Sequence, residues 1–145
     1  MIALLQRVTQ ASVTVNGAVI GQIDRGLLVF VAVHRDDEER DIHRLAQRIL
    51  TYRLFPDAED RMNLSVQDIS GGLLLVPQFT LTADTRKGTR ASFTKGAEPQ
   101  KAAAYFDALA ATCRESTDLV ETGQFGADMQ VSLVNDGPVT FWLES

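Results

Sequence analysis

The stretch Gly72-Leu73-Leu74-Leu75-Val76-Pro77-Gln78-Phe79-Thr80-Leu81 constrains the fold of this chain more than any other. It begins as a continuous apolar run, the pattern of a strand buried on both faces. In mid-run it meets a proline, an amide, an aromatic ring and a hydroxyl. Proline has no N–H to give to a sheet ladder, so a central strand cannot pass regularly through Pro77. A buried strand that stops pairing there leaves the following N–H groups free to face an anionic or carbonyl oxygen. The alternative is an edge strand or bulge that carries no chemistry.

A second apolar run, Leu27 to Val33, follows Gly26 and predicts another central strand. Upstream, Ile2 to Val8 reads as a strand. Ser12–Val15 and Ala18–Gly21 flank Asn16-Gly17, the dipeptide that tolerates a type I′ turn, and predict a hairpin. Asp36 or Asp37 can cap a helix with an acidic first turn, whose residues Ile42, Leu45, Ala46 and Ile49 share one face. Tyr52 to Phe55 is a candidate short strand closed by Pro56-Asp57. Thr82 to Gly96 is polar and basic and reads as a long surface loop. Pro99 fits the first turn of a second helix, with Ala102, Tyr105, Phe106, Leu109, Ala110 and Cys113 on its apolar stripe. Val120–Gly123, Ala127–Asn135 and Val139–Leu143 predict strands, the last two separated by Asp136-Gly137-Pro138. The expectation is a single domain over residues 1–145, a mixed sheet with two main helices on one side.

The 145 residues carry 45% hydrophobic and 23% charged side chains, which suits an ordinary water-soluble core. No apolar run reaches membrane-spanning length, and Met1–Leu5 is too short for a signal segment, so a cytoplasmic protein is expected. One cysteine excludes an internal disulfide framework. A net charge of -5 argues against a surface built for non-specific nucleic-acid binding. The exception is local: Arg86, Lys87, Arg90, Lys95 and Lys101 lie together, against Glu98 alone.

Candidate chemistry is sparse. His34 and His43 lie nine apart with no thiolate nearby, a poor metal set, and no metal is expected. Cys113 on an apolar stripe behaves as a small hydrophobe. Thr80 is a hydroxyl among polar groups but has no neighbouring base in sequence, as a nucleophile requires. The Gly137–Pro138 bond, between two apolar strands, is a candidate for the cis form, or else an ordinary tight turn.

Three segments together carry a family likeness. Gln78-Phe79-Thr80-Leu81 with Ala83-Asp84, the terminal Asn135-Asp136-Gly137-Pro138-Val139-Thr140-Phe141-Trp142, and Gln6-Arg7-Val8 with Ala11-Ser12-Val13 resemble the bacterial D-aminoacyl-tRNA deacylases, also called D-tyrosyl-tRNA deacylases. The resemblance runs from Met1 to the last strand. It implies a layered α/β/β, barrel-like fold and a homodimer with active sites at the interface. It also implies hydrolysis of the ester joining a D-amino acid, or glycine mischarged on tRNA-Ala, to the tRNA 3′ end, with no cofactor and no membrane. In such enzymes the Gly-Pro pair is cis and enters the partner's site. Here Gly137 and Pro138 would be the chiral selector, excluding L side chains sterically. Gln78, Phe79 and Thr80 would be the catalytic strand motif, with the Phe79 N–H as oxyanion donor and the tRNA terminal 2′-hydroxyl assisting hydrolysis. Arg7 would support the partner's Gly-Pro loop and Met129 would line the pocket. The basic loop has two readings: Arg86, Lys87, Arg90 and Lys95 hold acceptor-end phosphates with Phe93 available to stack on a nucleotide, or the loop is simply solvated with Phe93 packed. One departure stands out: Pro77 occupies a position that is usually serine in the family, as it does in a related, less stereospecific group.

Overall fold

The computed structural model describes residues 1–145 and contains eight strands and two main helices. The strands are β1 (Ile2–Val15), β2 (Ala18–Ile23), β3 (Gly26–Ala32), β4 (Phe55–Pro56), β5 (Met62–Leu64), β6 (Gly72–Pro77), β7 (Val120–Thr122) and β8 (Gln130–Glu144). The helices are α1 (Glu39–Thr51) and α2 (Pro99–Arg114). The main sheet runs β2-β1-β3-β6-β7, and β8 pairs with β1. The β3–β6 and β6–β7 pairs are parallel, whereas all pairs made by β1 are antiparallel.

β1 organises this sheet. One stretch, Ile2–Val8, pairs with β3, and the next, Ala11–Val15, pairs with β2. β8 follows it from Ile2 to Thr14. The sheet therefore curls until β2 approaches β6 and β7. A Cβ on Gly21 would stand 2.9 Å from the Thr122 carbonyl oxygen, so only glycine admits this approach. The result is a nearly closed, barrel-like sheet with the helices outside.

Two apolar cores follow from strand alternation. Leu27, Val29 and Val31 of β3, with Leu73 and Leu75 of β6, face the buried sides of α1 and α2. Leu28, Leu74 and Val76 face inward against Val8, Ala11, Val13 and Ile23. Both faces of β3 and β6 are thus buried, which is why each reads as an uninterrupted apolar run. Asn16 and Gly17 take φ of 49° and 79°, as the type I′ turn between β1 and β2 requires.

Several boundaries differ from the sequence expectation. The first strand does not end at Val8, because β8 pairs across the whole region and carries β1 through to Val15. The N-cap of α1 is Glu38, in a capping box with Asp41, rather than Asp36 or Asp37. Asp37 instead accepts the His34 N–H at 2.6 Å. Tyr52 closes α1 by donating its N–H to the Arg48 carbonyl, so only Phe55–Pro56 form a strand, paired with β5. β8 starts at Gln130, not Ala127, and is continuous by backbone through residues 136–138. Its register with β1 nevertheless jumps: Gln6 pairs with Thr140 and Val8 with Asn135. Residues 136–139 are therefore an excursion opposite Arg7, as a bulge of one strand against another. No helix is long and apolar enough to cross a membrane.

Candidate active site

At the end of β6 the ladder stops in two steps. Gln78 still donates its N–H to the Val31 carbonyl at 2.7 Å. On the other edge, Gly123 donates to the Leu75 carbonyl at 2.8 Å, and β7 ends at Thr122. Pro77, next in line on that edge, has no N–H to continue the pairing. The chain beyond Gly123 lifts away, and the space left is a cleft of about 560 Å³. Val76, Pro77, Gln78 and Phe79 form one wall, and Phe125, Gly126, Ala127, Met129 and Val131 another.

After Gln78 the chain makes a single 3-10 turn, Phe79–Thr82. The first N–H groups of such a turn have no partner within it, which puts the Phe79 and Thr80 amides at its open end. The buried Thr82 hydroxyl donates to the Phe79 carbonyl at 2.8 Å and fixes the turn from below. Phe79 is 60% exposed, and its ring lies 5.2 Å from that of Phe93 in a tilted pair. The basic loop is thereby anchored beside the strand end. The Gln78 amide donates to the Thr80 hydroxyl, and no histidine, lysine or carboxylate hydrogen-bonds to that oxygen. Met129 reaches the cleft with its sulfur against Gly123, where a Cβ would meet it at 2.8 Å.

The Gly137–Pro138 bond is cis, and both residues are exposed at the tip of the β8 excursion. Arg7 reaches this excursion through the gap in the β1–β8 register. Its Nε donates to the Asp136 carbonyl at 3.0 Å and lies 3.4 Å from the Asp136 carboxylate. Its Nη1 donates to the Leu54 carbonyl at 2.8 Å. Asn135 completes the clamp, accepting the Val139 N–H at 3.0 Å and donating to the Thr140 hydroxyl at 3.0 Å. Arg7 therefore holds the Gly-Pro excursion of its own chain, whereas the family likeness had it supporting a partner's loop.

The two motifs do not meet within one chain. Arg7 is level with Leu27, and Leu27 with Leu73, while Pro77 lies four residues farther along β6. At about 3.3 Å per residue, that is roughly 13 Å along the sheet.

The basic loop is less free than its sequence suggests. Arg86 lies on the Asp84 carboxylate through both Nε and Nη2 and holds that carboxyl well below the usual range. Lys87 and Arg90 share an open cleft of about 550 Å³ with this pair and Ser92. Lys101 is spent on the carbonyls of Arg35 and Asp37, both at 2.7 Å. Among the other candidates, His34 Nδ1 lies 3.4 Å from the Lys95 carbonyl, and His43 is exposed on α1. Cys113 is buried, and burial pushes its thiol up to about 11, so it has no nucleophilic character near neutrality. Sequence reasoning missed Leu54 and Phe125 as parts of these sites. Asn135 lay inside a quoted motif, but its clamping role needed the register jump to be seen.

What the arrangement can do is limited and definite. It offers backbone donors beside an apolar cleft, with no nucleophile–base pair at that cleft. The family model described as D-Tyr-tRNA(Tyr) deacylase matches residues 4–144. A D-aminoacyl-tRNA deacylase of Alkalilimnicola ehrlichii is 60% identical over 145 residues, covering 100% of this chain and 97% of its own. One from Escherichia coli O1:K1 / APEC is 58% identical over 144 residues, covering 99% of each. Among solved structures, one described as a c-Myc DNA unwinding element binding protein superposes with a TM-score of 0.96 at 36% identity, covering 100% of this chain and 99% of that one. A second, described as a probable eukaryotic D-amino acid tRNA deacylase, superposes with a TM-score of 0.86 at 19% identity, over 99% and 98%, and shares the fold. With a family model spanning nearly its whole length and relatives at such identity, the chain belongs to the D-Tyr-tRNA(Tyr) deacylase family.

Proposed function

We propose that this chain is a D-aminoacyl-tRNA deacylase that hydrolyses the ester between a D-amino acid and the 3′ end of tRNA. The observation that carries the reading is the Phe79 amide at the open end of a 3-10 turn, beside an apolar cleft with no side-chain nucleophile paired to a base. Water adds to the ester carbonyl carbon, and the Phe79 N–H faces the oxygen that becomes negative. The ester C–O bond then breaks, the ribose oxygen leaves with a proton, and the free amino acid departs. No titratable side chain lines this cleft to activate the water, so the terminal 2′-hydroxyl of the tRNA is the group proposed to assist the proton transfer. Thr80, tied to the Gln78 amide, shapes the turn.

The same reading extends to glycine mischarged on tRNA-Ala and to rejection of L-aminoacyl-tRNA by Gly137 and Pro138. Both extensions require a second copy of the chain. The exposed Gly-Pro excursion lies roughly 13 Å along the sheet from its own Gln78–Thr80 segment, so it is better placed to enter the cleft of a partner. β8 also leaves Val134 and Trp142 exposed at 46% and 49%, apolar surface that a homodimer would cover. In this arrangement the exposed backbone of Gly137 and Pro138 meets the α-carbon side of the substrate. A D side chain points away, glycine has none, and an L side chain collides. Met129 lines the acyl cleft, and Lys87, Arg90 and Lys95 face acceptor-end phosphates while Arg86 stays on Asp84, working in the cytoplasm as translational proofreading.

The test is a panel of D-Tyr-tRNA, L-Tyr-tRNA, Gly-tRNA and D-tyrosine ethyl ester, followed by amino-acid release. The expected result is release from the D- and glycyl-tRNAs only. Equal hydrolysis of the ethyl ester would make this a general esterase, and binding of charged tRNA without release would make it an RNA-end binding protein.

A further inference from the structure

The buried face of α1 accounts for Ile42, Leu45, Ala46, Ile49 and Leu50, and the opposite face bears Arg40, Arg44 and Arg48 at successive four-residue steps. That spacing aligns them along one side of the helix over about 12 Å. Arg40 is tied to Glu38 at 3.1 Å. Arg44 is exposed and makes no hydrogen bond or ion pair. Arg48 follows it, donating through Nη1 to the Glu144 carbonyl. A cation in the last turn of a helix is explained by the helix dipole, which covers Arg48 but not Arg44 or Arg53.

A groove of about 500 Å³ opens where this row ends, lined by Arg48, Thr51, Tyr52, Arg53, Met62 and Phe141. Its members come from α1, the segment after it, β5 and β8. The Tyr52 and Phe141 rings pack at 5.4 Å, tilted by 53°, and Met62 is 52% exposed. Arg53 is exposed and held to Asn63 Oδ1 at 3.1 Å. Two guanidiniums lining one groove with an aromatic and thioether surface match the chemistry of an unpaired nucleotide, with phosphate on the cations and base on the rings.

Arg7 ties the Gly-Pro excursion to the residue after Arg53, its Nε donating to the Asp136 carbonyl and its Nη1 to that of Leu54. We infer that the groove formed by Arg48, Tyr52, Arg53 and Phe141, with Arg44 at its head, binds the unpaired nucleotides of the tRNA 3′ end. This rests on the deacylase reading given above and deepens it. With the excursion seated in a partner's cleft, the groove flanks the acyl site from the opposite subunit. Each tRNA end is then held by both subunits, the terminal adenosine by one and the preceding nucleotides by the other.

The test compares D-Tyr-tRNA with 2′(3′)-O-D-tyrosyl adenosine, which lacks those nucleotides. In the Arg44→Glu, Arg53→Glu double variant, KM for D-Tyr-tRNA is expected to rise about tenfold or more with kcat little changed, and tyrosyl adenosine hydrolysis to be unaffected. The dependence of log KM on log salt should flatten by about one to two, the two lost phosphate contacts. Tyr52→Leu should raise KM for D-Tyr-tRNA severalfold without altering the salt slope. Unchanged KM and salt slope in the double variant would overturn the proposal, as would equal losses on both substrates. If the wild-type protein hydrolyses neither substrate, the deacylase reading fails separately. Direct binding of uncharged tRNA then decides the groove, with equal Kd for wild type and double variant ruling it out.

Discussion

Two prolines interrupt β-structure in this molecule, and they do so in opposite ways. Pro77 ends a buried parallel strand. Beyond it the pairing with β7 does not resume, the chain passes after Gln78 into a 3-10 turn, and the gap becomes an apolar cleft. Pro138 sits in an excursion of an outer strand whose pairing with β1 resumes at Thr140. Its surroundings are polar, a clamp of Arg7, Asn135 and Thr140. The Pro77 end therefore offers hydrogen-bond donors and a place for an apolar group, whereas the Pro138 end offers a rigid, exposed piece of backbone. On the proposed reading neither end is by itself a complete site, because the substrate is polarised at one and sorted by hand at the other. On the function proposed above, the chain carries two halves of one site at separate levels of its sheet.

Arg7 is where that comparison is most easily broken. Its side chain is 12% exposed and serves two carbonyls that no other side chain reaches. Arg7→Ala is expected to cost about 1–3 kcal/mol of stability, read as a fall in Tm, because those carbonyls lose their donor. Deacylation of D-Tyr-tRNA should fall by more than stability explains, with the folded fraction held constant. A destabilised variant with full specific activity would separate the Pro138 end from the site.

The basic loop at the Pro77 end sharpens the other half. Because Arg86 is committed to Asp84, Lys87 and Arg90 are the cations of that cleft available to phosphate. Reversing both to glutamate should raise KM for charged tRNA severalfold at moderate salt, with the difference shrinking as salt increases. No change would leave the loop a solvated one. The smallest effect is expected at Thr80, where Thr80→Ala should retain most hydrolysis on substrates with a terminal 2′-hydroxyl. Complete loss in a folded protein would return the side chain to the role of nucleophile.

Much of this was legible in the sequence, and the exceptions share a cause. β3 and β6 announced themselves as apolar runs because both their faces are buried, and the helix faces because their periodicity matches a single buried side. Pro77 marked the strand end through a missing N–H, a purely local property. The role of Arg7 was not legible from its own neighbourhood. It depends on the register jump between Gln6 and Val8, set by a strand more than a hundred residues away. Phe125 gave no periodic signal because it lines the cleft from the connection between β7 and β8, outside the sheet. Lys101 looked like part of a basic patch until the fold placed two carbonyls around its ammonium.

The central claim is that the two halves meet across a pair of chains. Two variants address it, one at each end. Phe79→Pro removes the amide at the cleft. Gly137→Ala puts a Cβ within 2.6 Å of Val139 at a φ of 139°, and so displaces the excursion. Each alone should lower D-Tyr-tRNA deacylation by about a hundredfold or more. Co-expressed in equal amounts, half the pairs are mixed and each mixed pair keeps one intact site, so activity should recover to about a quarter of wild type. A co-purified mixture no more active than the sum of the two variants would contradict the account.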